Sequence, residues 1–489
     1  MLFNSIDFAV FFPSVFILYW CVSKNLTLRN ILILVASYLF YSWWDWRFLS
    51  LIIISSLVDF IVGQRLERTK NKNKRKGLLM TSLAVNLGFL FYFKYTNFFI
   101  ETFVDAFTLF GKELEISTLH IILPVGISFY TFQTLSYTID IYRGSIKSTK
   151  NGLAFFSFVA FFPQLVAGPI ERASHLLPQF FKTYKFNYNQ VKSGLLLIAF
   201  GLFKKMVIAD RAAVVVNQVY NNPTEYSGVE TILATVLFAF QIYCDFSGYS
   251  DIAIGTTRTM GFDLTKNFNR PYFSKSITEF WHRWHISLST WFRDYVYIPL
   301  GGSKNGKYKT YANLFIVFVV SGLWHGAAIT FLIWGAIHGL IIVLEKATAG
   351  FRAPICEKLG INQKKVSGKI VYTITTFIIV CFAWIFFRAN TFNDAVLLIG
   401  GILKNNYIIL FTEDLYKIGL ERNELIILGL SIVSLLVFEI MNKKQKISKV
   451  LQEQPIVFRW SVYLLIGFVI LIFGVYGNND TSEFIYFQF

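Results

Sequence analysis

Long apolar runs recur along this chain and restrict what it can fold into. IVYTITTFIIVCFAWIFF (370–387) and VYLLIGFVILIFGVYG (462–477) are two of them. About 20 apolar residues in a helix cross the hydrocarbon core of a bilayer, so runs of this kind predict spanning segments. Only 15% of the residues are charged, against about a quarter in soluble domains. We therefore predict an all-α, polytopic membrane protein with roughly eleven to thirteen transmembrane or re-entrant helices and a few short amphipathic helices.

Basic residues are clustered in short segments between the apolar runs. Examples are RLERTKNKNKRK (65–76) and NKKQKISK (442–449), and the formal net charge is +17. Cytoplasmic loops of membrane proteins are rich in Lys and Arg, so we place both segments on that side. Counting spans outward from them predicts that the N- and C-termini are extracytoplasmic. The segments lack the interleaved aromatics of nucleic-acid-binding proteins, so we predict contact with membrane lipid and none with nucleic acid.

No feature of the sequence divides the chain into domains or marks a metal site. We find no internal repeat, linker or low-complexity segment, and we predict a single membrane domain over residues 1–489. The four cysteines lack the spacing of metal ligands or of a disulfide framework. We therefore predict no metal site.

Polar side chains interrupt the apolar segment QIYCDFSGYSDIAIG (241–255). Gln241 and Asp245 are four residues apart, and Asp251 follows six residues later. Ionisable residues within spans are costly, and they usually face a cavity or one another. Two interpretations stay open: buried contacts that hold helices together, or the lining of an internal pathway. Two aspartates without further carboxylates are a weak signal for a metal.

The segment SITEFWHRWHISLSTWFRDYVYIPLGGS (276–303) concentrates aromatic and polar residues. At about 100° per residue, a continuous helix would place two stripes side by side. The aromatic stripe contains Trp281, Trp284, Leu288, Trp291 and Tyr295. The polar stripe contains Thr278, His282, His285, Ser289 and Arg293. We predict that the aromatic side packs on a wall and that the histidine side faces a wet cavity. An interfacial helix without chemistry is the alternative.

A third histidine, His325, lies in an apolar run between Trp324 and Gly326. A neutral imidazole in such a position can deprotonate a hydroxyl, because its pKa is ordinarily near neutrality and burial lowers it. His338, in WGAIHGL, is the comparison. From the residues alone, either histidine is as consistent with a packed core as with catalysis.

Several long motifs resemble one family. EFWHRWHISLSTWFRDYVYIPLGG (279–302), followed by SGLWHGAA (321–328), is similar to the signature of the membrane-bound O-acyltransferases, here the region 276–346. PVGISFYTFQTLSYTIDIYRG (124–144) and the closing FIYFQF (484–489) resemble the bacterial branch that O-acetylates alginate, other polysaccharides or peptidoglycan. The resemblance covers nearly the whole chain. It implies helices around a central funnel through the membrane.

The resemblance also implies roles for individual residues. His325 matches the histidine regarded as essential for acyl transfer, as base or as transient acyl carrier. His285 matches a second polar position that holds histidine or asparagine in different branches. His282 ranks below these two, because arginine is at least as familiar there. The remaining residues that we expect to line the tunnel or support it are Ser289, Arg293, Trp324, Asp245 and Gln241.

Donor and partner follow from the resemblance as well. We expect acetyl-CoA as the cytoplasmic donor and no tightly bound cofactor. Four basic residues border the predicted donor mouth, where they attract phosphates or simply set topology: Lys266, Arg270, Lys275 and Lys304. An extracytoplasmic protein of the SGNH-hydrolase type is the expected partner, docking near the tail Phe484–Phe489, which otherwise anchors at the interface or closes the funnel. The glycan is the final acceptor, and the location is the bacterial cytoplasmic membrane.

Two other functions stay open. D-alanyl transfer to teichoic acid occurs within the same family, although the motifs favour acetylation. A transporter whose histidines relay protons is the rival from another class, but such proteins commonly show paired halves or repeated broken helices. We find neither in this sequence.

Overall fold

The computed structural model is helical over 78% of the chain, and no strand occurs in the parts that it describes. These parts are residues 1–109, 118–119, 121–166, 168–358, 365–404, 406, 409, 412, 416–444, 447–476 and 484–485. The prediction of an all-α membrane protein is confirmed.

The helices of the first half are α1 (Ile6–Val22), α2 (Leu26–Asp45), α3 (Leu49–Arg68), α4 (Lys72–Leu90), α5 (Thr96–Leu109), α6 (Ile127–Arg143), α7 (Gly152–Val159), α8 (Phe162–Leu165), α9 (Ala173–Leu176), α10 (Tyr188–Leu202), α11 (Asp210–Tyr220) and α12 (Val229–Thr259). Those of the second half are α13 (Ile277–Trp281), α14 (Ile286–Phe292), α15 (Lys307–His325), α16 (Ile329–Ala347), α17 (Ala349–Lys358), α18 (Val366–Arg388), α19 (Phe392–Ile402), α20 (Arg422–Lys444), α21 (Ile447–Gln452) and α22 (Ile456–Phe473). Three π-helical turns, Phe91–Tyr95, Phe203–Ala209 and Arg293–Tyr297, extend α4, α10 and α14.

Seven helical segments in the described ranges are long and apolar enough to cross a membrane. They are Leu26–Arg68, Lys72–Val104, Val229–Thr259, Ile329–Ala347, Val366–Arg388, Arg422–Lys443 and Ile456–Phe473. Three shorter apolar helices are also present: Ile6–Val22, Gly152–Leu165 and Phe392–Ile402. The predicted total of roughly eleven to thirteen counted re-entrant helices of this length together with full spans. The chain is a multi-pass membrane protein.

The described chain divides into two compact units, and the prediction of a single domain stays a prediction. One unit contains Met1–Ile198 and Ile252–Thr265, and the other contains Ala199–Asp251 and Lys266–Phe489.

Buried hydrogen bonds hold the helices of the first unit together. The carboxylate of Asp59 in α3 accepts from the hydroxyl of Ser82 (2.5 Å) and from the side-chain amide of Asn86 (2.8 Å), both in α4. Ser82 also contacts the hydroxyl of Thr138 in α6 at 3.0 Å. Helices in lipid associate through such contacts, because the hydrophobic effect does not favour one apolar partner over another there.

Glycines set the spacing of the hairpin α15–α16 in the second unit. A Cβ atom on Gly322 of α15 would lie 2.2 Å from the carbonyl oxygen of Phe331 in α16. One on Gly335 of α16 would lie 2.4 Å from the carbonyl oxygen of Phe318. Only a residue without Cβ permits this approach of two backbones, as in other tightly packed membrane helices. The hairpin fixes the end of α15, where His325 lies.

Buried ion pairs join α12 to the π-helical turn before α11 in the second unit. Lys205 lies between Asp245 of α12 and Asp210 of α11, with Nζ–O distances of 2.8 Å to each. Lys204 pairs with Asp251 at 2.5 Å. A π-helical turn widens the helix, and here both consecutive lysines are buried. Of the two interpretations of the aspartates, these pairs favour contacts that hold helices together.

Candidate active site

The segment that carries His282 and His285 is not one continuous helix, so the predicted pair of stripes is wrong. Helix α13 ends at Trp281, and α14 begins at Ile286. Between them, His285 has φ 43° and ψ 55°, which is the left-handed region. A right-handed helix cannot pass through such a residue. The motif ends in a turn at Gly301 and Gly302, both with positive φ, after the π-helical turn Arg293–Tyr297.

Hydrogen bonds from a distant loop impose this break. The backbone N–H of Ile286 donates to the carbonyl of Asn267 at 2.9 Å. The N–H of Asn269 donates to the carbonyl of Arg283 at 2.8 Å. The loop at Asn267–Asn269 thus pairs with the turn on both sides of His285, which lies about eighteen residues later in the chain. Periodicity within the segment carries no sign of this pairing.

The break sends the predicted polar residues to different places. His282 is exposed, and its Nδ1 lies 2.8 Å from the carbonyl oxygen of Thr278. Arg293 is also exposed and pairs with its neighbour Asp294. Ser289 is half-buried and donates to the carbonyl of Trp284 at 3.4 Å. The structure therefore does not group these three side chains with His285.

The tryptophans of the segment are buried, as expected for a wall. They are Trp281, Trp284 and Trp291. The ring of Trp284 packs against Trp384 of α18 at 5.2 Å between centroids. Large aromatic side chains packed in this way make a rigid and apolar surrounding.

His285 is completely buried and held by a residue that the sequence did not mark as functional. Its Nδ1 lies 3.1 Å from the side-chain oxygen of Asn267. That oxygen also accepts from the backbone N–H of Ser287 (3.2 Å) and from its hydroxyl (2.9 Å). Because the partner atom is an acceptor, Nδ1 of His285 carries the proton, and Nε2 is the basic nitrogen. No motif or spacing in the sequence pointed to Asn267.

His285 is neutral across the physiological pH range. It lies outside the seven spanning segments, and burial lowers the pKa of its imidazole to about 3. Removing an imidazolium from water without a counter-charge is unfavourable, so the neutral form is retained. A neutral imidazole can accept a proton or a hydrogen bond.

The structure brings His325 next to His285, although the two residues belong to separate motifs. His325 is the last residue of α15 and is 3% exposed. Its ring centroid lies 6.4 Å from that of His285. Three aromatic rings surround it: Trp324 at 4.9 Å, Trp334 at 5.0 Å and Phe387 at 5.4 Å. Water-poor surroundings of this kind strengthen electrostatic contacts with a reacting group.

His338 is a packed core histidine with a hydrogen-bond partner. Its Nδ1 accepts from the indole N–H of Trp281 at 3.2 Å. The ring of Trp334 lies 5.0 Å from His338 and 5.0 Å from His325. Both histidines therefore belong to one aromatic cluster, but only His325 lies against His285.

The first two residues of the closing motif, Phe484 and Ile485, are buried. Phe484 packs on Tyr249 of α12 at 4.5 Å between centroids. The backbone N–H of Ile485 donates to the carboxylate of Asp245 at 2.7 Å. Phe246 links Phe484 (5.8 Å) to the ring of His285 (4.6 Å). Residues 486–489 lie outside the described part of the chain.

The four basic residues of the predicted donor mouth lie in the loops before α13 and before α15. Lys266 is exposed, and partial desolvation of its side chain lowers the pKa of its ammonium. It shares its electrostatic surroundings with Arg270, which donates to the carbonyl of Glu439 at 3.4 Å. Asp251 and Glu439 compensate part of this positive charge. Lys275 and Lys304 lie in other turns, before α13 and before α15.

The two remaining residues predicted to line the tunnel, Gln241 and Trp324, are buried. Within the described ranges, no three His, Cys, Asp or Glu side chains form a group able to bind a metal ion.

Comparisons with known proteins agree with this geometry. Residues 145–393 match the model of the membrane-bound O-acyltransferase family. A probable alginate O-acetylase of Pseudomonas syringae pv. tomato is 41% identical over 406 residues, which cover 82% of this chain and 75% of that protein. A peptidoglycan O-acetyltransferase of Helicobacter pylori is 34% identical over 83% of this chain and 80% of its own length. A teichoic acid D-alanyltransferase of Bacillus subtilis is 28% identical over 55% of this chain and 69% of its own length.

The two adjacent buried histidines lie within the matched region. The chain belongs to the membrane-bound O-acyltransferase family and is an acyltransferase.

Proposed function

We propose that this protein moves acetyl groups from a cytoplasmic donor, acetyl-CoA, across the bacterial cytoplasmic membrane. The final acceptors are hydroxyls of an extracytoplasmic polysaccharide or peptidoglycan. The observation that carries the proposal is the pair of adjacent buried imidazoles, His285 and His325. The two relatives with the broadest coverage reported above are named for O-acetylation of alginate and of peptidoglycan.

In the proposed reaction His325 acts as the base. Its ring accepts the proton of the acceptor hydroxyl while the hydroxyl oxygen attacks the thioester carbonyl. The carbon–sulfur bond of the donor breaks, and the proton passes from His325 to the departing thiolate. The products are an acetyl ester and the free thiol of coenzyme A. No tightly bound cofactor takes part.

His285 supports this step as a neutral neighbour. Because its Nδ1 is engaged by Asn267, its Nε2 is oriented as an acceptor within the same aromatic enclosure. Gln241, Asp245 and Trp324 support the enclosure from α12 and α15. His282, Ser289 and Arg293 belong to the outer approach, because they are exposed or half-buried.

On the cytoplasmic side, Lys266 and Arg270 contact the phosphates of the donor, with Lys275 and Lys304 as more distant basic residues. On the outer side, an SGNH-type protein receives the acetyl group and docks near residues 484–489. The basic segments 65–76 and 442–449 are cytoplasmic, and both termini are extracytoplasmic.

A matched pair of substitutions tests the role of His325. Glycan acetylation is compared in cells that carry His325→Asn or His338→Asn at equal protein levels. We expect His325→Asn to lower acetylation by about 10²- to 10⁴-fold, the usual contribution of a general base. His338→Asn keeps an acceptor for the indole N–H of Trp281 and retains activity. Full acetylation by His325→Asn excludes this mechanism.

The donor and the mode of transfer are tested with labelled acetyl-CoA. Membrane vesicles that expose the cytoplasmic face are incubated with [¹⁴C]acetyl-CoA, and a D-alanyl carrier protein serves as the rival donor. Transfer of acetyl label to glycan supports the proposal, whereas exclusive use of the D-alanyl donor favours teichoic acid modification. Label that remains on His325 after quenching identifies an acyl carrier in place of a base.

A further inference from the structure

We propose that Asn267 is the positioning residue for His285: it fixes both the left-handed backbone of His285 and the tautomer of its ring. This inference rests on the proposed acyl transfer for its catalytic consequence, but its structural content is independent of any substrate.

The side chain of Asn267 is oriented without ambiguity. It is 1% exposed, and its oxygen faces three donor atoms: the backbone nitrogen of Ser287, the hydroxyl of Ser287, and Nδ1 of His285. A flipped amide would point its NH₂ group at the backbone N–H of Ser287, which is a donor only. Its nitrogen instead donates to the hydroxyl of Ser250 in α12 at 3.4 Å.

The same residue holds the backbone of the turn. The carbonyl of Asn267 accepts from the N–H of Ile286, and its side-chain oxygen accepts from the N–H of Ser287. These are the first two residues after His285, whose φ of 43° is unfavourable for most side chains. The two hydrogen bonds offset the cost of that conformation. The side chain and the backbone carbonyl of Asn267 therefore fix both the backbone and the ring of His285.

A neutral amide is the chemically suitable partner here. A carboxylate in place of Asn267 would favour an imidazolium at His285. The titratable group whose ring lies against His285 is His325 of α15. A positive charge on His285 would oppose the uptake of a proton by His325. The amide fixes the tautomer of His285 without adding this charge.

The test measures the state of the ring directly. The full-length protein in lipid nanodiscs is labelled with [¹⁵N]histidine, and the resonances of His285 are assigned by their loss in His285→Gly. We expect the neutral tautomer with the proton on Nδ1 in the wild type from pH 5 to pH 8. In Asn267→Asp, an isosteric change that keeps the acceptor for Ser287, we expect the pKa of His285 to rise by about one to three pH units.

Asn269→Asp is the matched control, because it adds the same charge two residues away without facing His285. It should leave the ¹⁵N shifts of His285 unchanged. The proposal is overturned if the wild type carries the proton on Nε2, or if Asn267→Asp leaves the pKa of His285 where it was.

Glycan acetylation in the same variants adds the catalytic consequence. We expect Asn267→Asp to lose activity as the pH falls, by up to about tenfold at pH 5, and to recover as the pH rises and His285 deprotonates. If the ring of His285 has the expected tautomer but no acetyl transfer is detected in wild type or variants, the proposed function is contradicted and the role of Asn267 is not. A pH profile that is identical in Asn267→Asp and wild type contradicts the catalytic consequence of this role.

Discussion

The rings of His285 and His325 lie 6.4 Å apart, although forty residues separate them in the chain. His285 reaches this position from a broken helix and His325 from the end of a glycine-packed hairpin. The pair depends on contacts of different kinds, hydrogen bonds to a loop on one side and close helix packing on the other. Substitutions can therefore separate the two contributions.

His285 and His282 form a matched pair for the first prediction. His285→Gly removes the imidazole without straining the left-handed backbone, because glycine adopts it readily. We expect acetylation to fall by about ten- to hundredfold, the equivalent of one lost buried hydrogen bond of about 1.5–3 kcal/mol. His282→Gly, in the same turn but exposed, should remain within about twofold of wild type by the same order-of-magnitude reasoning. Equal losses in both variants would show that the turn, and not the imidazole of His285, is needed.

The buried ion pairs of Lys205 make the second prediction. Lys205→Met leaves two carboxylates, Asp210 and Asp245, buried without their cation. We expect it to lower the stability of the folded protein by about 3–5 kcal/mol. Asp245→Asn leaves the neutral pair Lys205–Asp210 and an amide oxygen for the N–H of Ile485, so its effect should be much smaller. Thermal unfolding of both variants in the same detergent compares them, and a larger loss for Asp245→Asn would contradict this ordering.

His175 makes the third prediction, on the pH dependence of stability. Its Nδ1 lies 2.8 Å from the buried carboxylate of Glu171, and its Nε2 lies 3.7 Å from Asp263. The hydrogen bond to Glu171 is the largest cause that raises the pKa of His175 above 6.5, its ordinary value. A raised pKa means that the folded state binds the proton more tightly than the unfolded state. The resulting stabilisation is complete below pH 6.5 and is lost as the pH rises through the pKa of the folded state.

We therefore expect the unfolding temperature to fall as the pH rises from 6.5 through the pKa of His175 in the folded state. His175→Gln keeps a hydrogen-bonding side chain but does not titrate, so it should remove this part of the pH dependence. Unfolding temperatures measured at a fixed heating rate from pH 5 to pH 9 check both statements. A wild-type unfolding temperature that rises with pH over this range would contradict a stabilising contact between protonated His175 and Glu171.

Much of the site was accessible from the sequence, because its signals are local. The apolar runs, the wall of tryptophans and the two histidine motifs each lie within one short segment. His285 and His325 were each singled out by the family resemblance, and in the structure they are neighbours. The separate location of His282 did not follow, because a regular helical period was assumed across a residue with positive φ.

The sequence did not reveal the roles of Asn267 and Lys205, for a different reason. Each acquires its role from partners that are distant in the sequence, the turn at His285 and the aspartates of α12 and α11. An asparagine in a loop has no periodic signature, and a pair of lysines after an apolar helix looks like a cytoplasmic flank. Burial of such groups is decided by tertiary structure alone.

The left-handed backbone of His285 also limits which amino acids evolution or a designer can place there. Outside glycine, this conformation is adopted most readily by asparagine, aspartate and histidine. The family resemblance gives histidine or asparagine at this position, both from that short list. Tolerance at residue 285 is therefore governed first by backbone shape and only then by chemistry. In a saturation library at this codon, glycine, asparagine and aspartate should give the most stable variants, and other residues should lose about 1–3 kcal/mol through the backbone alone, whatever reaction the neighbouring imidazole performs.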